Sequence, residues 1–206
     1  MDEPQLDAFF IGPDDQPRCR WCAAAPEFLA YHDTEWGYPV RDDRRLFEKL
    51  CLEGFQAGLS WRTILNKREA FRAAFHDFDF GRIARFSSRD VERLLQNEKI
   101  VRHRGKIEAV IHNAARAEAL VAEAGSLAAF LWRYAPDAQR AERPQTISIS
   151  AESIALSKDL KRRGWKFVGP TTMFAFMQAM GLINDHAEGC VVRDRVERAR
   201  RDFQRP

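Results

Sequence analysis

Cysteine and histidine side chains gather at the two ends of this chain. Cys19, Cys22 and His32 lie near the amino terminus, while His186 and Cys190 stand four residues apart near the other end. Thiolate sulfur and imidazole nitrogen suit a tetrahedral zinc ion. Two ligand sets compete on spacing alone. One takes Cys19, Cys22 and His32 with a fourth group from the far end; the other takes Cys19 and His32 with His186 and Cys190. A site drawing on both ends would close almost the whole chain and compensate for loosely packed terminal segments. The stretch Cys19-Arg20-Trp21-Cys22 also has the CxxC spacing of thiol redox proteins, but no βαβ pattern surrounds it. The remaining cysteine is Cys51. No secretory signal precedes these residues, so disulfides are not expected.

A second candidate is Val168-Gly169-Pro170, which leads from a tight turn into an apolar helix. The first N–H groups of a helix lack partners within it, and a glycine there allows close approach of a phosphate. Lys161, Arg162, Arg163 and Lys166 lie nearby. An ordinary interhelical turn has the same pattern. Basic residues also cluster at 102–106 and 193–201, although such runs are most often solvated faces and the net charge is only +3.

The elements that must position these groups are helical. Leu46, Phe47, Leu50 and Cys51 recur at helical spacing from Asp43, and Gly58 closes that segment. Ser60 is placed to cap a helix running through Ile64, Leu65, Phe71 and Phe75. Ser87 and Asp90 form a capping-box pattern before Val91, Leu94 and Leu95. A long helix from Ile107 through Val121 stops near Gly125, and a short one covers Leu127–Tyr134. Residues 143–150 read as a linker, residues 151–163 as a helix ending at Gly164, and 171–180 as a buried helix. The helices before and after the 165–170 turn form a candidate helix-hairpin-helix. The class is all-α.

With 206 residues, 45% hydrophobic and 31% charged, the chain has a core and a well-solvated surface. Residues 1–17, with three prolines and several acids, suggest a loose extension. No stretch approaches the roughly 18 apolar residues that span a bilayer, and Met1-Asp2-Glu3-Pro4 lacks a basic signal-peptide start. A cytoplasmic location is expected.

Four runs carry a family resemblance: RCRWCAAAPEFLAYHDTEWG (18–37), LFEKLCLEGFQAGLSWRTILNKREAFRAAF (46–75), IVRHRGKIEAVIHNA (100–114) and LSKDLKRRGWKFVGPTTMFAFMQAMGLINDHAEGC (156–190). Together they resemble the type I DNA-3-methyladenine glycosylases. The domain so delimited is 18–190, with an extension at 1–17 and a basic tail at 191–206.

The resemblance implies an all-α helix-hairpin-helix glycosylase fold with one structural zinc joining the termini. Its ligand pattern falls on Cys19, His32, His186 and Cys190, which leaves Cys22 a bystander. Its base pocket falls on Phe28, Tyr31, Glu53 and Trp61, with Phe28 where the family often has tyrosine. On residue type alone, Glu53 would be a solvent-facing or paired carboxylate, and Tyr31 and Trp61 core aromatics. Within the family, the aromatic faces attract the cationic base and Glu53 is the catalytic candidate, accepting hydrogen bonds from the base's amine edge. Asp185, beside His186, is a second acidic candidate, read by preference as a support for the metal site. Leu59, at the tip of the Gly58-Leu59-Ser60 turn, is either a wedge into the vacated base stack or a core residue.

Gly169, Thr171 and Lys166 are the expected DNA contacts. In bifunctional relatives a lysine two residues past the hairpin glycine forms a Schiff base; here that position is Thr171, so base release without strand cleavage is expected. The implied partner is double-stranded DNA with alkylated bases, bound by a monomer away from any membrane. The rival reading is a non-catalytic zinc-containing DNA-binding protein, which gives Glu53, Tyr31 and Trp61 no task.

Overall fold

The computed structural model describes residues 9–136 and 144–206. Residues 1–8, including the acidic start, and Arg143 of the expected linker lie outside the described residues. Among the described residues the fold is all-α apart from one small hairpin, as the periodicity implies. Its helices are α1 (Pro26–Thr34), α2 (Asp43–Gln56), α3 (Trp61–Asn66), α4 (Arg68–Ala74), α5 (Phe80–Ile83), α6 (Ser88–Leu95), α7 (Arg104–Ala124), α8 (Leu127–Leu131), α9 (Ala151–Arg162), α10 (Pro170–Ala179) and α11 (Arg193–Asp202).

The centre of the molecule is α2, whose residues from Leu46 to Phe55 are all buried. It packs against α3, α7, α8 and α10, so it has no solvent face along that stretch. Apolar side chains there supply the core. The charged ones, Glu48, Lys49 and Glu53, must find partners inside the protein because an unpaired buried charge is very costly. Glu48 pairs with Arg72 at 2.8 Å. Lys49 and Glu53 pair with one another, one helical turn apart.

Other helices close on side chains that the sequence marks. Ser87 and Asp90 form the expected capping box of α6. Gly125, at φ +85°, ends α7. Lys106 of α7 donates to the carbonyls of Phe55, at 2.8 Å, and Ala57, satisfying the open end of α2. Asp43 accepts from the N–H groups of Leu127 and Ala128 at 3.0 and 2.8 Å, which caps α8 from another element. α9 and α10 pack closely as the two arms of a hairpin. Ser157 of α9 donates to the Val168 carbonyl at 2.6 Å and fixes the turn between them.

Two segments differ from the sequence expectation, and in a third, the basic tail, the sequence reading names no element. The single helix expected through Phe75 breaks at Lys67 into α3 and α4. There the Lys67 amide bonds back to Ile64, and its ammonium reaches the carbonyls of Glu98 and Lys99. Part of the supposed loose extension is a strand pair, β1 (Phe9–Ile11) antiparallel to β2 (Pro17–Cys19), with Phe9 opposite Cys19. Arg18 tethers it by ion pairs to Asp14 at 2.6 Å and Asp33 at 2.9 Å. The basic tail is largely the helix α11. It buries Val192 and Val196, and beyond it Phe203 packs on Trp132 with ring centroids 4.5 Å apart. A three-residue apolar run and an arginine-rich decamer are too weakly patterned to reveal either element.

No helix among the described residues is long and apolar enough to cross a membrane.

A candidate base cleft beside a four-ligand cluster

β2 and α1 bring Cys19 and His32 to the loop that carries His186 and Cys190. The four ligand atoms lie within 4.8 Å of one another and all four residues are buried. His186 Nδ1 stands 3.7 Å from Cys19 Sγ, 3.6 Å from Cys190 Sγ and 3.2 Å from His32 Nε2. Cys190 Sγ is 3.5 Å from His32 Nε2. A tetrahedron with metal–sulfur bonds of about 2.3 Å and metal–nitrogen bonds of about 2.0–2.1 Å has edges of roughly 3.3–3.8 Å. The four edges given above lie within about 0.1 Å of that range.

The outer ring nitrogens are also held. His32 Nδ1 meets Asp33 Oδ1 at 2.7 Å, and His186 Nε2 meets the Trp36 carbonyl at 3.0 Å, which turns the inner nitrogens toward one point. The two sulfurs are electrostatically linked: proximity to Cys190 and burial push the Cys19 thiol up, while Cys19 and both imidazoles hold Cys190 low. A cation among them would relieve that opposition. Cys22 is buried but stands outside the cluster.

The cluster abuts a cleft of about 330 Å³, a size that suits a small ligand. Tyr31 of α1, Glu53 of α2 and Trp61 at the start of α3 line it. Tyr31 and Trp61 have ring centroids 5.4 Å apart. Phe28 is not among the lining residues. It packs with Cys22 and Ala25, its ring 5.8 Å from that of Trp21. Trp21 and Trp36 provide the further aromatic walls. Sequence reasoning passed over both, although Trp21 sits inside the CxxC stretch that the metal ligands had already singled out.

Cluster and cleft share their supports. Tyr31 precedes His32, Asp185 precedes His186, and Trp36 both lines the cleft and accepts from His186. Asp185 also lines the cleft, where it accepts from the Gln145 N–H at 2.9 Å and Gln178 Nε2 at 2.6 Å. Burial raises its carboxyl above the ordinary value despite those two donors.

Lys49 was missed altogether. Its ammonium lies in the cleft, 2.8 Å from Glu53 Oε1 and 2.9 Å from the Tyr31 hydroxyl. Once α2 is known to be buried all round, a lysine one turn before a glutamate has few other partners.

The proposed DNA-facing residues lie in two turns. Leu59, between α2 and α3, is 43% exposed, so simple core burial does not describe it. Gly169 caps α10, and a Cβ there would meet only Thr172 Oγ1 at 3.8 Å. The fold itself does not require a glycine at that place. Thr171 and Lys166 are exposed. Several of the basic residues flagged in the sequence are already paired: Arg104 with Glu92, Arg162 with Asp159, and Arg163 with Glu123.

Comparison with known proteins agrees with this architecture. The family described as methyladenine glycosylase matches residues 21–194. DNA-3-methyladenine glycosylase 1 of Escherichia coli (strain K12) is 48% identical over 177 residues, covering 84% of this chain and 95% of that protein. A crystal structure of 3-methyladenine DNA glycosylase I superposes with a TM-score of 0.77 at 49% identity, covering 84% of this chain and 98% of that one. The Staphylococcus aureus 3-methyladenine DNA glycosylase I, solved to explain 3-methyladenine recognition, gives a TM-score of 0.76 at 38% identity, with 82% and 93% covered. The family match takes in His32, His186 and Cys190 of the cluster, the residues that line the cleft and the α9–α10 hairpin, and the chain belongs to the methyladenine glycosylase family.

Proposed function

We propose that the protein excises 3-methyladenine from alkylated double-stranded DNA and leaves an intact abasic site. The observation that carries this reading is the meeting of Glu53 with the Trp61 and Tyr31 rings in one cleft, in a chain of this family. A base inside a duplex is out of reach, so the nucleotide must rotate into the cleft. Exposed Leu59 suits the wedge that fills the vacated stack. The free N–H groups at the start of α10, beside Gly169 and Thr171, suit a phosphate, with Lys166 as a further contact.

The methylated base carries positive charge. When the N-glycosidic bond breaks, the bonding pair leaves with the base and neutralises it, and positive charge develops at the sugar. Water then adds through its oxygen to C1′ and gives up a proton. Glu53 accepts hydrogen bonds from the base's amine edge and stabilises the developing positive charge. Selectivity over neutral adenine follows chiefly from the edge pattern that the cleft can hydrogen-bond.

The four-residue cluster is assigned to one structural zinc, held by Cys19, His32, His186 and Cys190. Four protein ligands leave no open position, so the metal is given no step in the reaction. Cys22→Ser is expected to leave zinc content and excision near those of the unaltered protein. Loss of activity in that variant would favour a thiol role instead. The proposed partner is double-stranded DNA, bound by a monomer in the cytoplasm.

The direct test is release of base from alkylated DNA, assayed for 3-methyladenine, 7-methylguanine and 3-methylguanine. No release of any of them would leave the rival reading, a zinc-containing DNA-binding protein. Strand cleavage is tested by borohydride trapping on alkylated and abasic DNA. Lyase chemistry needs an unprotonated amine near C1′. Thr171 offers none, Lys166 lies on the exposed turn, and Lys49 is held as the ammonium by Glu53. No covalent adduct is expected; one that vanishes with Lys166→Ala or Lys49→Ala would overturn this part of the proposal.

A further inference from the structure

The reaction proposed above makes no use of Lys49, yet it lines the cleft with its ammonium among the Glu53, Tyr31 and Trp61 side chains. The residue is 5% exposed, so the charge is largely removed from water and needs compensation. Three groups supply it: the Glu53 carboxylate at 2.8 Å, the Tyr31 hydroxyl at 2.9 Å, and the Trp61 ring, whose centroid lies 3.4 Å from Nζ. Those are the groups that would otherwise receive a cationic base. Burial opposes the charged form, but Glu53 and Tyr31 outweigh it and hold the ammonium above the ordinary lysine value.

An ammonium at that distance fills one face of the indole. A base stacked on the same face would need the same layer, roughly 3.5–4.0 Å above the ring. The two cannot share it. Nor can two cations share one carboxylate without mutual repulsion where Lys49 and Glu53 are both buried.

We infer that Lys49 is a specificity-determining residue: it is the resident cation of the cleft, which a cationic base must displace from Glu53 and Trp61 to bind. With Lys49 and Glu53 both present, the pair is neutral overall, and the cleft's preference for positive charge is weak. Discrimination then falls on shape and hydrogen bonding, including the Gln178–Asp185 wall. Without the lysine, Glu53 is an uncompensated buried carboxylate, and a cationic ligand becomes its only counter-ion. A neutral ligand gains nothing comparable, so Lys49 acts on the difference between the two classes. A lysine with a merely structural role would move both alike. The inference rests on the cleft being the base site.

The test uses the full chain with Lys49→Met, which keeps length and loses charge, and Lys49→Gln, which keeps a donor toward Glu53. Two probes are titrated by quenching of tryptophan fluorescence in mildly alkaline buffer: 3,9-dimethyladeninium, which is permanently cationic, and free 3-methyladenine, which is neutral there. Both variants are expected to bind the cation about tenfold tighter than the unaltered protein, while the neutral base changes by less than about threefold. Equal shifts for the two probes, or weaker binding of the cation, would overturn the inference. If Lys49→Met does not fold, Lys49→Gln gives the same comparison. Failure of both probes to bind any of the three proteins would overturn the base-site reading and the role of Lys49 with it.

Discussion

Glu53→Gln is expected to lower excision of 3-methyladenine by about a hundredfold or more, while binding to abasic DNA stays near that of the unaltered protein. The substitution preserves shape and removes one negative charge from the cleft. Lys49 then loses its ion-pair partner and keeps only the Tyr31 hydroxyl and the Trp61 face. The pair's charge passes from neutral to positive, so a cationic base meets repulsion where it met a carboxylate. Two unit charges 4 Å apart interact by about 4 kcal/mol at an effective dielectric constant near 20, which is ample for the expected loss. Stability also falls, because breaking a buried ion pair on one side costs about 3–5 kcal/mol, less what Tyr31 and Trp61 retain. Rates must therefore be measured well below the variant's melting temperature. Abasic DNA has no base to place in the cleft, and the proposed phosphate contacts and wedge lie on other turns. Excision close to that of the unaltered protein would remove Glu53 from the mechanism.

The residues involved show which features a sequence declares and which it conceals. Ser87 with Asp90, Gly125 and the Ser60 cap act within a few residues of themselves, so their patterns name them directly. The four-ligand cluster was open between two sets on spacing, because Cys22 is as good a ligand by type as Cys190. The family resemblance favoured one set, and the fold brings that set together.

The cleft was harder. Phe28 and Trp21 are both aromatic and close in sequence, yet only the path of the turn at Arg20–Ala24 decides which one faces the cavity. Lys49 was concealed for a different reason. Helical periodicity assigns polar residues to the solvent side, and α2 has no solvent side between Leu46 and Phe55. The hairpin at β1 and β2 depends on contacts made across the whole chain. The Pro17 carbonyl accepts from Val191 at 2.9 Å, and a Cβ at Gly189 would meet the Phe9 ring at 3.1 Å. No local pattern reports such partners.

The second large effect is expected from Cys190→Ser, which should lower zinc content and melting temperature together. Serine oxygen is a poor replacement for thiolate sulfur toward zinc, so one of four ligands is lost. The cluster ties β2 and α1 to the loop before α11, which lies at the other end of the sequence. Structural zinc contributes about 10–16 kcal/mol in zinc-finger peptides; losing even a few kcal/mol would lower the melting temperature of a chain this size by about 10 °C. Excision should decline as well, because Tyr31, Trp36 and Asp185 line the cleft from positions fixed by His32 and His186. Abasic binding, proposed to use the α9–α10 turn held by Ser157, should fall less. Metal analysis of purified protein and a thermal melt, each repeated on unaltered protein after chelation, separate the causes. Chelated protein should melt with the variant. A variant that retains one zinc per chain and melts unchanged would show that Cys190 is not a ligand.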